Sequence, residues 1–365
     1  MEWLIYLLIP LVMSALITPL LKIIAYKLEI YAKMNDRTIH SGNIARIGGV
    51  AIYVSFVVCM AFFMKADASI NGILLGGTIM FIGGLIDDMV ELKPRYKLAF
   101  QIAAAIVLMV VGQVYLDVIR LPLGISIDMG IVSVIVTFLW IIGITNAVNL
   151  IDGLDGLSGG ISVIILVVIA FMSIMEGRID IQYLSLILAG STLGFLFYNS
   201  HPASIFMGDC GSLFLGFIIS AISLLGFKSS TIMTLALPIL LLAVPIIDTI
   251  GAILRRKLNG HKFSDADKQH LHHLLMQRFG HRNTVILLYI VTALFGFTAF
   301  AYLINKTTGF LVLFTIGLIV ELFIEFSGMI SKQYHPILSL ANRAQKRMVK
   351  LFRKFSGNTK SKAKK

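Results

Sequence analysis

Residues 158–174 read SGGISVIILVVIAFMSI, a run of 17 positions without a charged side chain. Ten further apolar runs lie along the chain, at 3–25, 47–64, 71–86, 98–114, 131–147, 181–197, 213–227, 231–254, 284–304 and 309–329. A membrane-spanning helix needs about 20 mostly apolar residues, so eleven helices would need about 220. That number is close to the 58% of the 365 residues that are hydrophobic. The sequence therefore predicts an all-α polytopic integral membrane protein with about 11 transmembrane helices.

The composition excludes other broad classes of protein. Only 14% of the residues are charged, against about 25% in soluble proteins, which excludes a soluble two-domain protein. The two cysteines, Cys59 in an apolar run and Cys210 in a loop, give no disulfide framework. The first run is too long for a cleavable signal peptide and lacks a basic start, so we expect it to remain as a span.

The net charge of +12 follows the predicted topology. With the N-terminus outside and the spans alternating, inside segments hold 26 of the 31 lysines and arginines. The outside segments hold only Lys65, Arg120, Arg178, Lys228 and Lys306. This asymmetry predicts a cytosolic C-terminus by the positive-inside rule. The positive charge thus belongs to membrane topology, and we expect no nucleic-acid partner.

Two units follow from this arrangement. Residues 1–330 form a multi-span membrane domain, and 331–365 form a basic cytosolic tail. The inside loops of the domain are 26–46, 87–97, 146–160, 198–212 and 255–283. The tail is either a solvated topological anchor or an arm for anionic lipid headgroups. The outside loop 115–130 alternates around Pro122 and Gly124, which predicts a small exposed hairpin.

Polar residues that interrupt the apolar background indicate where chemistry takes place, because ionisable groups at membrane depth are costly. Asp87 and Asp88 close the third span on the inside. Neighbouring helical positions diverge by about 100°, so one carboxylate can face a metal while the other accepts a proton. The alternative is a hydrated helix end that is balanced by Lys93, Arg95 and Lys97.

A second polar cluster is NAVNLIDGLDGLSGG, at 146–160. Its polar side chains recur every three residues, at Asn146, Asn149, Asp152 and Asp155. This spacing keeps them on one drifting helical face or aligns them on a 3₁₀ turn. Amides and carboxylates together suit ribose hydroxyls, base edges or a metal. A plain polar cap would need only one or two of them.

The third cluster is FMGDCGSLFLG, at 206–216. A helix that starts after a glycine-rich loop presents free N–H groups to phosphate, and Asp209 is the ligand type that a hard divalent cation prefers. Cys210 is expected to be a small packing residue. Phe206 either stacks on a base or packs against lipid.

The fourth cluster lies in the inside loop 255–283, where His270, His272 and His273 are surrounded by cations. The loop has neither a cysteine nor an HExxH pattern, which argues against zinc. Histidines beside many cations more plausibly donate hydrogen bonds to anionic oxygens. A plain solvated amphipathic loop remains the alternative.

Together the clusters offer carboxylates for a divalent metal, cations for phosphates and an amide-rich stripe for a nucleoside. Phosphoryl transfer depends mainly on positioning and charge stabilisation. The inventory therefore predicts an enzyme that moves a phosphate-linked group from a soluble cytosolic donor to a lipid acceptor.

The order and spacing of four motifs carry a family resemblance: LIDDMVELKPRYKLAFQ (85–101), NAVNLIDGLDGLSGG, FMGDCGSLFLG and HLHH (270–273). They strongly resemble those of the polyprenyl-phosphate N-acetylhexosamine-1-phosphate transferases, over about residues 35–283. The His motif, which begins at Asp267 and Lys268, resembles the UDP-GlcNAc branch, in particular the bacterial enzymes that start teichoic-acid linkage units.

The resemblance implies transfer of GlcNAc-1-phosphate from UDP-GlcNAc to undecaprenyl phosphate, giving undecaprenyl-diphosphate-GlcNAc and UMP. It implies Mg²⁺, with Mn²⁺ as a substitute, and a multi-pass protein of the bacterial plasma membrane with a cytosolic active site. It also admits a homodimer. The alternative within the family is the phospho-N-acetylmuramoyl-pentapeptide transferase of peptidoglycan synthesis.

Residue by residue, the resemblance makes Asp87 and Asp88 the catalytic pair, assisted by His270. Asp209, with help from Asp88, would hold Mg²⁺. The nucleotide sugar would be bound by Asn149, Asp152, Asp155, Asn199, Phe206, His272 and His273. Phosphate would be bound by Lys97 and Arg46. Arg37 and His40 match the first inside loop, whereas Ala45 replaces the proline that the family usually has there, which puts the path of this loop in question.

A secondary transporter is the competing class of protein. Transporters place their sites near the bilayer midplane, often between repeats. Here the carboxylates cluster at the cytosolic face of the predicted spans. Glu321 and Glu325 are the only pair that lies within an apolar span, as is typical of a transporter. An enzyme is therefore the favoured prediction.

Overall fold

The computed structural model describes residues 2–31, 44–120, 126–226, 242–246, 249–250, 271–327 and 339. Its main helices are α1 (Trp3–Lys27), α2 (Gly49–Phe63), α3 (Ala68–Val90), α4 (Pro94–Val110), α5 (Val132–Leu150), α6 (Leu157–Met175), α7 (Ile179–Asn199), α8 (Asp209–Gly226), α9 (Leu271–Phe279), α10 (His281–Ile304) and α11 (Lys306–Ser327). Two short strands, β1 (Val118–Arg120) and β2 (Ser126–Asp128), join α4 to α5.

Helices occupy ten of the eleven predicted apolar runs. Most of the run 231–254 lies outside the described residues. Seven of the described helices are long and apolar enough to cross a bilayer: α1, α3, α5, α6, α7, α8 and the His281–Tyr302 part of α10. A polytopic, mainly helical membrane protein is confirmed. The total of 11 spans and the N-terminus-outside orientation stay predictions.

Helix α8 is the central element of the bundle. Every one of its residues is buried, because α2, α3, α5, α6 and α7 surround it. Glycines let two of these neighbours approach closely: a Cβ on Gly84 of α3 would lie 2.5 Å from the Asp209 carbonyl oxygen. A Cβ on Gly49 of α2 would lie 2.2 Å from the Gly211 nitrogen. Close contact through small residues is typical of membrane helix packing, and here it fixes the first turn of α8.

One end of the bundle collects the polar residues. Contacts join the start of α2 to the end of α3 through Arg46 and Asp88, and the starts of α4 and α8 through Lys97 and Asp209. At the opposite end, β1 and β2 pair antiparallel, with Ile119 opposite Ile127. This confirms the predicted hairpin, whose residues 121–125 lie outside the described part of the chain.

Candidate active site

Three carboxylates from two distant segments form the core of the candidate site. Asp87 and Asp88 end α3, and Asp209 begins α8. One ligand oxygen from each lies within 4.8 Å of the others, and all three residues are buried. The structure thus brings together the first and third polar clusters of the sequence.

Asp88 caps the start of α8. Its Oδ1 accepts a hydrogen bond from the Asp209 backbone N–H at 2.8 Å, and its Oδ2 accepts one from the Cys210 N–H at 2.9 Å. These groups have no partner within their own helix, and a carboxylate there also interacts favourably with the helix dipole. Gly208 precedes them with φ +75°, and a Cβ on it would lie 2.4 Å from Asp88 Oδ2. Asp88 therefore orients the segment that carries Asp209.

Asp87 faces a different set of partners from its neighbour. Its Oδ1 accepts from the Leu92 N–H at 2.7 Å, and its Oδ2 pairs with Lys97 Nζ at 2.6 Å. Lys97 Nζ also lies 2.7 Å from Asp209 Oδ2. One ammonium group thus bridges Asp87 and Asp209, while Asp88 lies on the other side.

Arg46 completes the site from the segment before α2. Its Nε lies 3.2 Å from Asp88 Oδ1, and its Nη2 lies 3.0 Å from Asp209 Oδ1. Burial alone would lower the pKa of Arg46, but the charges of Asp88 and Asp209 outweigh burial and raise it, so the guanidinium stays charged. Three carboxylates then face two cations. When all are ionised, one negative charge is left over, and a metal cation could balance it.

The first inside loop reaches this site through a backbone pairing. The Phe206 N–H donates to the Ala45 carbonyl at 2.8 Å, and the Gly48 N–H donates to the Phe206 carbonyl at 2.9 Å. Ala45 is fully buried, and its position beside Ile205 gives the path of the chain where the usual proline is missing. Arg37 and His40 lie outside the described residues.

The amide stripe does not remain on one face. Asn146 exchanges two hydrogen bonds with Gln101 of α4, and Asn149 donates to Ser212 Oγ of α8 at 2.8 Å. Both line a cavity of about 150 Å³ that also contains Lys97 and Gln101. Helix α5 ends at Leu150, so the residues that follow turn away. The helical face therefore ends near Asn149, and the Asp152 N–H donates to the Asn149 carbonyl at 3.2 Å, the three-residue spacing of the 3₁₀ turn that the sequence left open.

Asp152 lies in the turn between α5 and α6 and is half-buried. Burial, together with the negative charge of Asp209, raises the pKa of its carboxyl to about 7. Asp152 is thus electrostatically linked to the carboxylate core, although no direct contact joins them among the described hydrogen bonds.

Asp155 belongs to another group. Its Oδ2 lies 2.8 Å from His201 Nδ1 and accepts from the Ala203 N–H at 3.1 Å. His281, the first residue of α10, stacks on His201 with ring centroids 4.0 Å apart. The sequence predicted no role for His201 and placed His281 only in the inside loop 255–283, near the His motif. The only local signal was a histidine two positions after Asn199.

Known proteins share much of this sequence. Residues 70–227, which contain all three carboxylates, match the family model for glycosyl transferase family 4. The chain is 39% identical over 340 residues to the probable undecaprenyl-phosphate N-acetylglucosaminyl 1-phosphate transferase of Bacillus subtilis (strain 168), covering 91% of this chain and 94% of the relative. The chain belongs to glycosyl transferase family 4.

Two further relatives of this family 4 protein differ in how much of the chain they match. The decaprenyl-phosphate N-acetylglucosaminephosphotransferase of Mycobacterium leprae (strain TN) is 32% identical, over 77% of this chain and 79% of the relative. The phospho-N-acetylmuramoyl-pentapeptide-transferase of Streptococcus uberis is also 32% identical, but over only 52% of this chain and 59% of its own. The similarity to the N-acetylglucosamine enzymes is thus the more extensive.

The remaining predicted residues of the family 4 site fall into two groups. Asn199 is buried, its Oδ1 accepts from the Gly156 N–H at 3.1 Å, and its Nδ2 donates to the Ile205 carbonyl at 2.9 Å. Both ends of this amide therefore connect loops to each other. Contact of Asn199, and of the half-buried Phe206, with the nucleotide sugar stays a prediction. The backbones of His272 and His273 lie in α9, with side chains outside the described atoms, and His270 lies outside the described residues altogether.

Proposed function

We propose that the protein transfers GlcNAc-1-phosphate from UDP-GlcNAc to undecaprenyl phosphate. An oxygen of the lipid phosphate attacks the phosphorus that carries GlcNAc, the bond from that phosphorus to the bridging oxygen breaks, and UMP leaves with this oxygen. The observation that carries the proposal is the cluster of three carboxylates and two cations, in a chain similar over 91% of its length to a relative named for this activity.

The carboxylate core fits a hard divalent cation. All three ligand groups are carboxylate oxygens within 4.8 Å of one another, and oxygen is the ligand type that Mg²⁺ and Mn²⁺ prefer. We assign the main ligand role to Asp209, with Asp88 beside it as the sequence predicts. Bound Mg²⁺ would supply positive charge to the phosphate oxygens as the diphosphate bond breaks.

The side chains of the site bind phosphate, accept a proton and position the metal ligand. Lys97 and Arg46 hold phosphate oxygens, because each already approaches two carboxylates and would exchange one for an arriving anion. Asp87 accepts the proton of the lipid phosphate when that group arrives as the monoanion. Asp88 keeps the first turn of α8, and with it Asp209, in place through its two backbone hydrogen bonds.

The proposed cytosolic position of the site rests on charge. In the alternating topology, the segments that contain Arg46, Asp87 and Asp209 lie on the inside, the side whose loops and C-terminal tail together hold 26 of the 31 lysines and arginines. Such loops remain on the cytosolic side of bacterial membranes. A soluble nucleotide sugar would reach the site from that side, while the lipid phosphate arrives within the bilayer.

A donor comparison tests the proposal. Purified full-length protein in detergent, with undecaprenyl phosphate and Mg²⁺, should release UMP from UDP-GlcNAc. Omission of the lipid phosphate or addition of EDTA should abolish release. UDP-MurNAc-pentapeptide and UDP-GalNAc should react at least tenfold more slowly. Faster reaction with UDP-MurNAc-pentapeptide would replace the proposal with the peptidoglycan alternative, and release from no donor would contradict it.

A further inference from the structure

A pair of neutral amides joins α4 to α5, one turn further into the bundle than Lys97. Gln101 Nε2 donates to Asn146 Oδ1 at 3.0 Å, and Asn146 Nδ2 donates back to Gln101 Oε1 at 2.8 Å. Gln101 is buried, and a buried amide without a partner is costly. Among the described residues, no other side-chain hydrogen bond joins these two helices. The pair therefore fixes how α4 lies against α5.

Helix α5 is in turn fastened to α8. Asn149 Nδ2 donates to Ser212 Oγ at 2.8 Å, and Ser212 lies in the first turn of α8, which begins at Asp209. Close packing supports the same contact, since a Cβ on Gly216 of α8 would lie 2.8 Å from the Thr145 Cα. The two helices that carry the ammonium and the carboxylate of the central ion pair are thus both tied to α5.

The neutral pair matters most when a substrate phosphate arrives. Lys97 Nζ lies 2.6 Å from Asp87 Oδ2 and 2.7 Å from Asp209 Oδ2, and in the proposed reaction it exchanges a carboxylate for a phosphate oxygen. An ion pair must then open, whereas the Gln101–Asn146 pair carries no charge and can stay intact. A cavity of about 150 Å³ beside Lys97 gives the freed ammonium group space in which to turn away from the phosphate.

We propose that Gln101 is a positioning residue: through its amide pair with Asn146, it keeps Lys97 directed at the reacting phosphates while the ion pair opens. Gln101 follows Lys97 by four positions, so the two side chains lie on one face of α4. On its other side α4 packs against α3, where a Cβ on Gly83 would lie 2.5 Å from Phe100 Cγ. The inference rests on the proposed function, because that function gives Lys97 its phosphate.

A double-mutant cycle with Lys97 separates positioning from plain packing. Gln101→Leu, which has a similar size and removes the amide, should lower kcat/KM for UMP release by about tenfold. In the Lys97→Gln background the same change should lower kcat/KM by less than about twofold, because the group that Gln101 positions is already gone. The exchanged pair, Gln101→Asn with Asn146→Gln, should recover most of the loss. Trp140→Phe, which breaks a hydrogen bond between α5 and α8 farther along these helices, should leave kcat/KM unchanged.

Chemical labelling of Lys97 supplies a measurement that needs no turnover. Acetic anhydride reacts with free amines, so acetylation of Lys97 relative to the exposed Lys93, measured by mass spectrometry on full-length protein in detergent, reports how often the Lys97 amine leaves its ion pairs. Gln101→Leu should raise this ratio by about threefold, because the local structure opens more often. The milder Gln101→Asn should raise it less. The exchanged pair and Trp140→Phe should keep the wild-type ratio, and thermal unfolding checks that each variant is folded at the labelling temperature.

The two measurements separate failure of this proposal from failure of the proposed function. A wild-type labelling ratio in both Gln101→Leu and Gln101→Asn would overturn the proposal. So would a loss of kcat/KM that is equally large with and without the Lys97 side chain, which would show that Gln101 acts only in packing. If the wild type released UMP from no donor, the proposed function would fail, and the labelling ratio would still decide whether Gln101 holds Lys97 in place.

Discussion

Two clusters at the same end of the bundle differ in the atoms they offer. The carboxylate core (Asp87, Asp88 and Asp209) is built from oxygen only, is buried and faces two cations. The histidine cluster (Asp155, His201 and His281) mixes nitrogen with oxygen and opens toward solvent. The first has the charge to hold a hard cation against phosphates, whereas the second pairs a buried carboxylate with an accessible imidazole. Ligand chemistry, more than position, separates the proposed reaction centre from its neighbour.

The largest effect is expected at the residue that joins both cations. Asp209 contacts Arg46 and Lys97, so Asp209→Asn removes the charge that organises the core. We expect turnover to fall by about 100-fold or more, the scale seen when one preorganised electrostatic group is lost. UMP release measures it, with Asp128→Asn in the distant hairpin as the matched control. Near wild-type turnover in Asp209→Asn would remove this residue from the reaction centre.

The cation that bridges the core should come next. Lys97→Gln leaves Asp87 and Asp209 without their shared ammonium, and we expect a loss of about 10- to 100-fold in kcat/KM. Lys97→Arg should recover part of this loss. Lys93→Gln changes an exposed lysine four residues earlier and should leave kcat/KM unchanged. Equal losses at positions 93 and 97 would mean that only the overall charge of the loop matters.

Substitution of the two adjacent aspartates should have different kinds of effect, on stability for Asp88 and on activity for both. In Asp88→Asn, an NH₂ group would face one of the two backbone N–H groups that donate to the Asp88 carboxylate in the wild type. We therefore expect lower stability by about 1–3 kcal/mol as well as lower activity. Asp87→Asn can keep its Leu92 hydrogen bond and should mainly lose activity. Because the second pKa of a phosphate monoester is about 6, that loss should shrink above pH 7. Denaturation curves and pH profiles that coincide for both variants would contradict this division.

The smallest expected effect is at Asp152, between the two clusters. Burial raises the pKa of Asp152 to about 7, so its neutral form is favoured in the folded protein. Its contribution to stability is complete below about pH 4 and is lost as the pH rises through 7. Asp152→Asn, which stays neutral, should therefore match the wild type most closely at pH 4 and be clearly more stable at pH 8. Melting temperatures at the two pH values measure this, and a wild-type advantage at pH 8 would reverse the argument.

The sequence predicted the parts of the fold that have a local signal. Spans such as α6 and α8 are long apolar runs, so hydropathy identifies them directly. The chemistry of Asp87, Asp88 and Asp209 was also predicted, because charged residues are conspicuous at the ends of such runs.

What escaped prediction depends on tertiary contacts. Nothing near Asp88 indicates that it caps a helix 121 residues later, and nothing near Asp155 indicates that two distant histidines reach it. The polar stripe left two alternatives open for a related reason: its spacing continues past Leu150, but the helix does not. Whether a periodic pattern shares one face depends on where the helix ends.

The most direct test of the central claim follows one phosphorus atom. UDP-GlcNAc labelled with ³²P at the β-phosphate, incubated with the purified protein, Mg²⁺ and undecaprenyl phosphate, should pass its label to the lipid fraction together with GlcNAc, while unlabelled UMP is released. Labelled UDP in the aqueous phase, with GlcNAc alone on the lipid, would show transfer of the sugar without its phosphate and would contradict the account.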